Sequence, residues 1–326
     1  MGWGRPVAAP AVSLAALMIL TLTLNPAVDV SLATDRIIYD DRSYINSETY
    51  QAGGKGINVA RALLDFGWTD VQAIAPYGGV MGERFARLVR EGGLPVTLVP
   101  VQGETRRNVA VIDDEGLTLK LDQRGNPLLE QELERIEAAL LEKLPGASWL
   151  TLNGSLPPGV PVDYYARLIG LARDHGVKTL VDTSGPPLAR ALAAGPTLAK
   201  PNRPEAERLL GRGLLSERAS LAAAQEILAL GPEHVILSLG GHGAVAVWGK
   251  RRFHAVPPEI QTGSPIGAGD VLGAVTVGAL RQGDSFEDAF VWGVAAATVA
   301  ASLPGLGTGP IEEVAKMREH IEVREV

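Results

Sequence analysis

The chain has no cysteine in its 326 residues. That absence removes disulfides, thiolate metal sites and cysteine nucleophiles together. It fits a reducing compartment, so a cytoplasmic location is the expectation. Histidine is scarce too: five occur, and none stands in an H-x-x-x-H or similar pair. A zinc or iron centre therefore has no visible ligand set. No basic run appears and the net charge is −7, so nucleic acid is not expected as a partner. A mild acidic balance still admits an anionic ligand, which needs only local positive charge. Long apolar runs are missing except at the start. "MGWGRPVAAPAVSLAALMILTLTL" carries one early Arg and then apolar residues, faintly like a signal peptide. The run passes without a break into "TLTLNPAVD", which reads as a first buried strand, and cleavage inside it would remove a core element. Residues 1–17 are expected to be an extension outside the fold, with Met18 as the start and 18–326 as the folded unit. Elsewhere no stretch approaches the roughly 18 apolar residues of a membrane helix, so no membrane partner is expected.

What is present is ordinary globular material, 46% hydrophobic and 21% charged. Short β-branched runs alternate with longer helical ones. "ILTLTL" reads as a strand and "GKGINVARALLDFG" as a helix opening on a glycine turn. "VQAIAPYG", "SWLTLNGSLP" and "KTLVDTSG" read as further strands, with "GERFARLVREGG" and "VDYYARLIGLARDHG" as helices between them. "HVILSLGGHGAVAV" reads as two strands around a glycine turn. This order predicts an α/β fold, a mainly parallel sheet with helices on both faces. Residues 30–50 and 107–122 break the pattern, alternating polar and apolar at period two, with a hairpin turn at "DDEG". They read as a small, separate antiparallel sheet placed as a lid over a site. The competing reading makes them edge strands of the main sheet.

Several stretches put small residues where a helix begins. In "SPIGAGDVLGA", Gly267, Ala268 and Gly269 precede Asp270 and an apolar helical run. Free amides at a helix N-terminus favour an anion. Asp270 alone could equally be a plain N-cap. "AGGKGINVARALLDFG" offers Lys55 and Asn58 at a similar start, or close packing with a surface lysine. Asn202 and Glu205 in "AKPNRPEAE" have capping-box spacing. Taken singly, "TLNGSLPPG" could be turn punctuation and "SLGGHGA" a plain hairpin.

Taken together and in order, these stretches resemble the ribokinase-like sugar kinases, the carbohydrate kinase family that includes the bacterial phosphofructokinases. The resemblance runs from about residue 19 to about 315 and is carried by "TLTLNPAVD", "GGKGINVA", "TRRNV", "NGSLPPG", "KPNRPE", "SLGGHGA" and the GAGD stretch. It points to the branch acting on sugar phosphates: 1-phosphofructokinase, minor 6-phosphofructokinase and tagatose-6-phosphate kinase. A ribokinase-like fold with a β lid is implied, as are ATP and Mg2+.

The resemblance implies that Asp270 is the general base that takes the proton of the attacking sugar hydroxyl. It gives the amides of Gly267, Ala268 and Gly269 the charge developing on the phosphoryl group. Asp29, Gly54 and Asn58 would face the sugar. Arg106 in "TRRNV" is the first candidate for the substrate's own phosphate. Lys120, Arg42 and Lys55 are further candidates, and Arg42 is expected to serve a neighbouring subunit if lids pair in a homodimer. A solvated lid face is the competing reading for Arg42 and Lys120. Ser155 would touch the sugar phosphate. Ser238, Gly240 and Gly243, with Asn202 and Gly269, would line the nucleotide, and segment 295–309 would close over adenine. Glu205 with Asn202 would organise Mg2+ through water. Three departures from the branch stand out: Pro265-Ile266 before GAGD, Val271 after the aspartate, and Asn153 in "NGS". The expected reaction is fructose 1-phosphate to fructose 1,6-bisphosphate. Fructose 6-phosphate and tagatose 6-phosphate are the alternatives, because one sequence does not show which carbon carries the phosphate. A silent sugar-phosphate or nucleotide sensor on the same fold is opposed by the presence of Asp270, Glu205 and Arg106. A kinase for an unphosphorylated sugar is opposed by the "TRRNV" arginines. A dinucleotide dehydrogenase is excluded, since no G-x-G-x-x-G follows the first strand.

Overall fold

The computed structural model describes residues 18–263, 266–303 and 307–326. The extension, Pro265 and residues 304–306 of the segment expected over adenine lie outside the described residues. The chain opens with β1 (Met18–Thr23), then the hairpin of β2 (Ala27–Thr34) and β3 (Ile45–Gly53). It continues through α1 (Lys55–Asp65), β4 (Val71–Tyr77), α2 (Gly79–Glu91) and β5 (Val96–Pro100). A second hairpin follows, β6 (Arg106–Asp113) and β7 (Thr118–Asp122). Then come α3 (Glu130–Lys143), β8 (Ala147–Asn153), α4 (Tyr164–Asp174), β9 (Lys178–Asp182) and α5 (Pro186–Ala193). β10 (Leu198–Ala199), α6 (Arg203–Leu210), α7 (Glu217–Leu228), β11 (His234–Ser238), β12 (Ala244–Trp248) and β13 (Arg251–Val256) follow. The chain closes with α8 (Ala268–Gln282), α9 (Phe286–Ser302), α10 (Ile311–Glu319) and β14 (Glu322–Glu325).

Ten strands form one sheet in the order β14-β13-β12-β11-β10-β9-β8-β1-β4-β5. The pairings from β11 across to β5 are all parallel; β12, β13 and β14 add an antiparallel edge. Strand alternation divides the apolar residues between two cores. Ile19 faces one, with Ile57 and Leu63 of α1, Val271 of α8 and Phe290 of α9. Leu20 and Leu22 face the other, with Ile136, Leu168, Leu188 and Ile227 of α3, α4, α5 and α7. The expected parallel sheet with helices on both faces is therefore what forms.

α8 is buried from Asp270 to Ala279, which explains why, past Asp270, that run is apolar on every side except at Thr276. It lies close against α9: a Cβ on Gly293 would meet the Leu272 carbonyl at 2.9 Å. Val271, one of the departures, is a packing residue only 5% exposed in this core.

The two period-two segments form a separate four-stranded sheet in the order β3-β2-β6-β7, not edge strands of the main one. Its boundaries are wider than expected at one end, since β2 starts at Ala27 and β3 runs to Gly53. The outer pairs are antiparallel, but the central β2–β6 pair is parallel, so the sheet is mixed. The reason is topological: β2 follows β1 and β6 follows β5, two parallel strands, so both enter the lid from the same end. The "DDEG" turn forms, with the Leu117 amide donating to Asp113 Oδ1 at 2.8 Å.

Candidate active site

Parallel strands bring their carboxyl ends to one edge, and the candidate residues collect there. In sheet order the ends carry Ser238 (β11), Lys200 (just after β10), Asp182 (β9), Asn153 (β8) and Thr23 (β1). Asn153 is directly opposite Asp182 in the ladder. The start of α1 lies across this edge. Gly54, its N-cap, has φ of 113°, a conformation that favours glycine, and a Cβ there would meet Thr23 Cγ2 at 2.7 Å.

Asp270 occupies the first turn of α8, and the N-cap is Gly267, held left-handed at φ 80°. The plain-cap reading of Asp270 therefore does not hold. Its carboxylate instead accepts from Asn58 Nδ2 at 2.8 Å. The oxygen of that side-chain amide, Asn58 Oδ1, is buried with no hydrogen-bond partner among the described residues, an acceptor suited to a sugar hydroxyl. Ala268 and Gly269 stand at the first two helical positions, where amides have no carbonyl within the helix. The Asp270 amide is already spent on the Gly267 carbonyl at 2.9 Å. Burial, with Asp182 adding repulsion, pushes the Asp270 carboxyl up to about 6 against the pull of Lys55, Asn58 and Lys200. A carboxylate poised near neutrality suits a general base.

Behind Asp270 lies an ion cluster that sequence reasoning missed. Asp182 Oδ1 is 2.7 Å from Lys55 Nζ, and its Oδ2 is 2.9 Å from Lys200 Nζ. Lys55 also lies 3.7 Å from Glu205 Oε1. Burial pushes Asp182 up, but Lys200 and then Lys55 outweigh it and hold the carboxyl below its ordinary value. Burial lowers Lys55, and the facing carboxylates of Asp182, Glu205 and Asp270 more than reverse that, so its ammonium is held on. The strong local negative charge thus draws Lys55 to Asp182 and Glu205, away from the expected role at the substrate's own phosphate. No signal in "VDTSG" or "LAKPN" marks Asp182 and Lys200 singly; only the parallel order of β9 and β10 makes them neighbours.

On the lid side, Asp29 accepts from Asn108 Nδ2 at 2.8 Å. Burial raises the Asp29 carboxyl, with the Asn108 bond and Arg106 opposing. Gly53 is required beside it, because a Cβ there would collide with the Asp29 carboxylate. Arg106 is held by the carbonyls of Asn25 (3.2 Å) and Gln123 (2.9 Å), and burial lowers its guanidinium against the pull of Asp29 and Asp122. Asn25 joins Arg106 to the other phosphate candidate: its Nδ2 donates to Ser155 Oγ at 3.1 Å. Lys120 shares the lid face of Asn108 and Asp122 but is exposed, and Arg42 lies exposed in the β2–β3 connection. The structure gathers neither with Arg106.

A cavity of about 640 Å3 opens beside α8, ample for a nucleotide. It is lined by Asn202, Ser238, Gly240 and Gly243, and by Ala268 and Gly269 from the other side. Ala297, Thr298 and Ala301 of the segment expected over adenine close one wall. Arg203, also missed, is the cation on this wall among the described residues, and its Nε is buried with no hydrogen-bond partner among them. Asn202 and Glu205 form a true capping box: Asn202 Oδ1 accepts from the Glu205 amide and Glu205 Oε2 accepts from the Asn202 amide, both at 2.9 Å. The Asn202 oxygen is thus already engaged, and Glu205 Oε1, outside the capping box and 3.7 Å from Lys55 Nζ, is the carboxylate oxygen that faces cations. Among the described residues no cluster of three or more His, Cys, Asp or Glu could cage a metal. That donor set fits an ion carried by substrate phosphates and water, as Mg2+ is.

Comparison with known proteins gives a family and a fold. The family model described as pfkB family carbohydrate kinase matches residues 19–313. The ATP-dependent 6-phosphofructokinase isozyme 2 of Escherichia coli is 37% identical over 286 residues, covering 86% of this chain and 92% of its own. The 1-phosphofructokinase of Xanthomonas campestris pv. campestris is 36% identical over 269 residues, covering 81% and 84%. The crystal structure of Escherichia coli phosphofructokinase-2 in complex with fructose-6-phosphate superposes with a TM-score of 0.85 at 34% identity, covering 93% of this chain and 98% of that one.

Proposed function

The chain belongs to the pfkB family of carbohydrate kinases and is a sugar-phosphate kinase of the phosphofructokinase type; from that premise we propose that it transfers the γ-phosphoryl group of ATP to fructose 1-phosphate, with Asp270 as base. The observation that carries the mechanism is the junction at Asp270. A carboxylate with its Asn58 bond faces the sugar side, and two first-turn amides of α8, Ala268 and Gly269, which have no partner carbonyl within the helix, border the large cavity.

The sugar hydroxyl attacks the γ-phosphorus while Asp270 takes its proton. The bond from phosphorus to the bridging oxygen breaks, and ADP departs with that electron pair. Ala268 and Gly269 donate to the phosphoryl oxygens as charge spreads over them. Asp29 and Asn58 orient the sugar hydroxyls. Arg106, with Ser155 linked to it through Asn25, holds the phosphate the sugar already carries. Glu205 would hold Mg2+ through water, and the ion supplies neutralisation of the nucleotide's phosphate charge.

A second reading, fructose 6-phosphate as acceptor, is favoured by the similarity to the Escherichia coli isozyme. Tagatose 6-phosphate completes the set. A coupled assay of ADP release with all three decides among them. Fructose 1-phosphate should show the highest kcat/KM, and no turnover with any of them would sink the kinase assignment. The lid also supports pairing of two copies. Tyr39, Tyr44 and Leu121 on it are 75%, 74% and 55% exposed, an apolar surface that a second lid would cover. Sedimentation equilibrium should give a dimer, and a monomer at micromolar concentration would exclude this arrangement.

A further inference from the structure

The Asp182 cluster sits in an expensive place. Moving each ion out of water costs several kcal/mol, and a buried pair can often be replaced by apolar residues without loss of stability. Asp182 is 1% exposed and Lys200 3%, at the carboxyl ends of β9 and β10, the sheet edge where the candidate residues collect. The Lys200 stem runs beneath α8: a Cβ on Gly273 would meet its Cε at 3.3 Å, and one on Gly269 would meet its Nζ at 3.6 Å. Its ammonium therefore lies directly under the helix turn that offers the Ala268 and Gly269 amides. Lys55, from the other side, reaches the same carboxylate and stands 3.7 Å from Glu205.

One carboxylate thus grips two ammoniums with one oxygen each. We propose that Asp182 is a positioning residue for phosphoryl transfer: it fixes Lys200 beneath the first turn of α8 and Lys55 between Asp270 and Glu205, so that two cations border the point where phosphoryl charge develops. Both lysines are rotamer-rich and Lys55 is partly exposed. Without the shared anchor Lys55 would spread over many conformations, and Lys200 would lose the carboxylate that holds its ammonium beneath α8. A positive charge held in place before the reaction needs no reorganisation during it.

The inference rests on the kinase reading, and its test separates the two. The full chain is prepared as wild type, Asp182→Asn, Lys200→Met and the double variant. An amide in place of the carboxylate can accept from only one lysine. Asp182→Asn should lower kcat about 100-fold, with the KM for sugar phosphate little changed. The double variant should be no worse than Asp182→Asn, because a residue that acts through its partner shows strong coupling. The acid limb of kcat/KM should also move to lower pH in Asp182→Asn, since the negative charge raising Asp270 is gone. Additive losses in the double variant would overturn the proposal. So would full recovery of Asp182→Asn at high magnesium, which would make the residue a metal holder. If Asp182→Asn fails to fold, Lys200→Met alone decides: a kcat within twofold of wild type overturns the proposal, and a tenfold or greater loss supports it. A wild-type chain inactive on every ketohexose phosphate would sink the kinase reading instead.

Discussion

Asp270→Asn should cripple the enzyme and stabilise the protein at the same time. The amide has the shape of the carboxyl, and Asn58 can still donate to its oxygen. Loss of the base should lower kcat by about 100- to 10,000-fold, or roughly 3 to 5 kcal/mol of barrier. The stability effect follows from the same burial. Asp270 is held at about 6 in the folded chain against an ordinary value of 3.8. A carboxyl with a raised folded value binds its proton more tightly when folded, so its contribution is full below about 4 and is lost as pH rises toward 6. Some two units correspond to about 3 kcal/mol, withheld from the wild type above neutrality. Asparagine never ionises and avoids that cost. For a chain of this size about 3 kcal/mol is on the order of 4 °C in Tm. Initial rates at saturating substrates and thermal melts near pH 5 and pH 8 suffice. Near pH 8 the variant should melt higher than wild type, and the gap should shrink toward pH 5. A variant that keeps more than a tenth of kcat would refute the base assignment. One that melts lower than wild type near pH 8 would refute the argument from burial.

Arg106→Ala should raise the KM for sugar phosphate about 10- to 100-fold, the worth of charge-assisted hydrogen bonds, while the KM for ATP stays within twofold; separate saturation curves check it. Arg203→Gln should do the reverse, raising the KM for ATP several-fold, since Arg203 lines the cavity and its buried Nε has no partner among the described residues. Gly267→Ala places a side chain at φ 80°, costing about 1 to 2 kcal/mol, so both Tm and kcat should fall. Gly53→Ala puts a methyl into the Asp29 carboxylate, so sugar affinity should fall while ATP binding, read by fluorescence titration, holds.

The sequence made the layered sheet legible because its signals are local. A parallel strand buried on both sides is mainly apolar, and β1, β4 and β8 read that way, with only a few Thr, Ser, Gln and Asn among their apolar residues. The GAGD turn was legible only in company: alone its aspartate could equally be a helix cap, and the other motifs in their order gave it the catalytic reading. The mixed lid was not legible, because strand direction depends on where each strand leaves the main sheet. Nor was the capping role of Asn202 separable from a metal role, since both need the same side chains at the same spacing.

Asp182 and Lys200 mark the deeper limit. Eighteen positions separate them in sequence, and each ends a short strand that looks like many others. A lysine reads as solvated and an aspartate after a strand reads as a turn. Their chemistry exists only once β9 and β10 lie side by side and α8 closes over them. The residues that sequence reveals at a site are those whose backbone demands are local, such as Gly267 and Gly54. The residues it hides are those that answer to charge across the fold. Asp270 belongs to both groups. Its position is written in the GAGD turn, but its readiness to accept a proton is set by burial and by Asp182, 88 residues earlier in the chain. Position and reactivity are thus encoded separately in this site, and a substitution at Asp182 should alter the second while leaving the first intact.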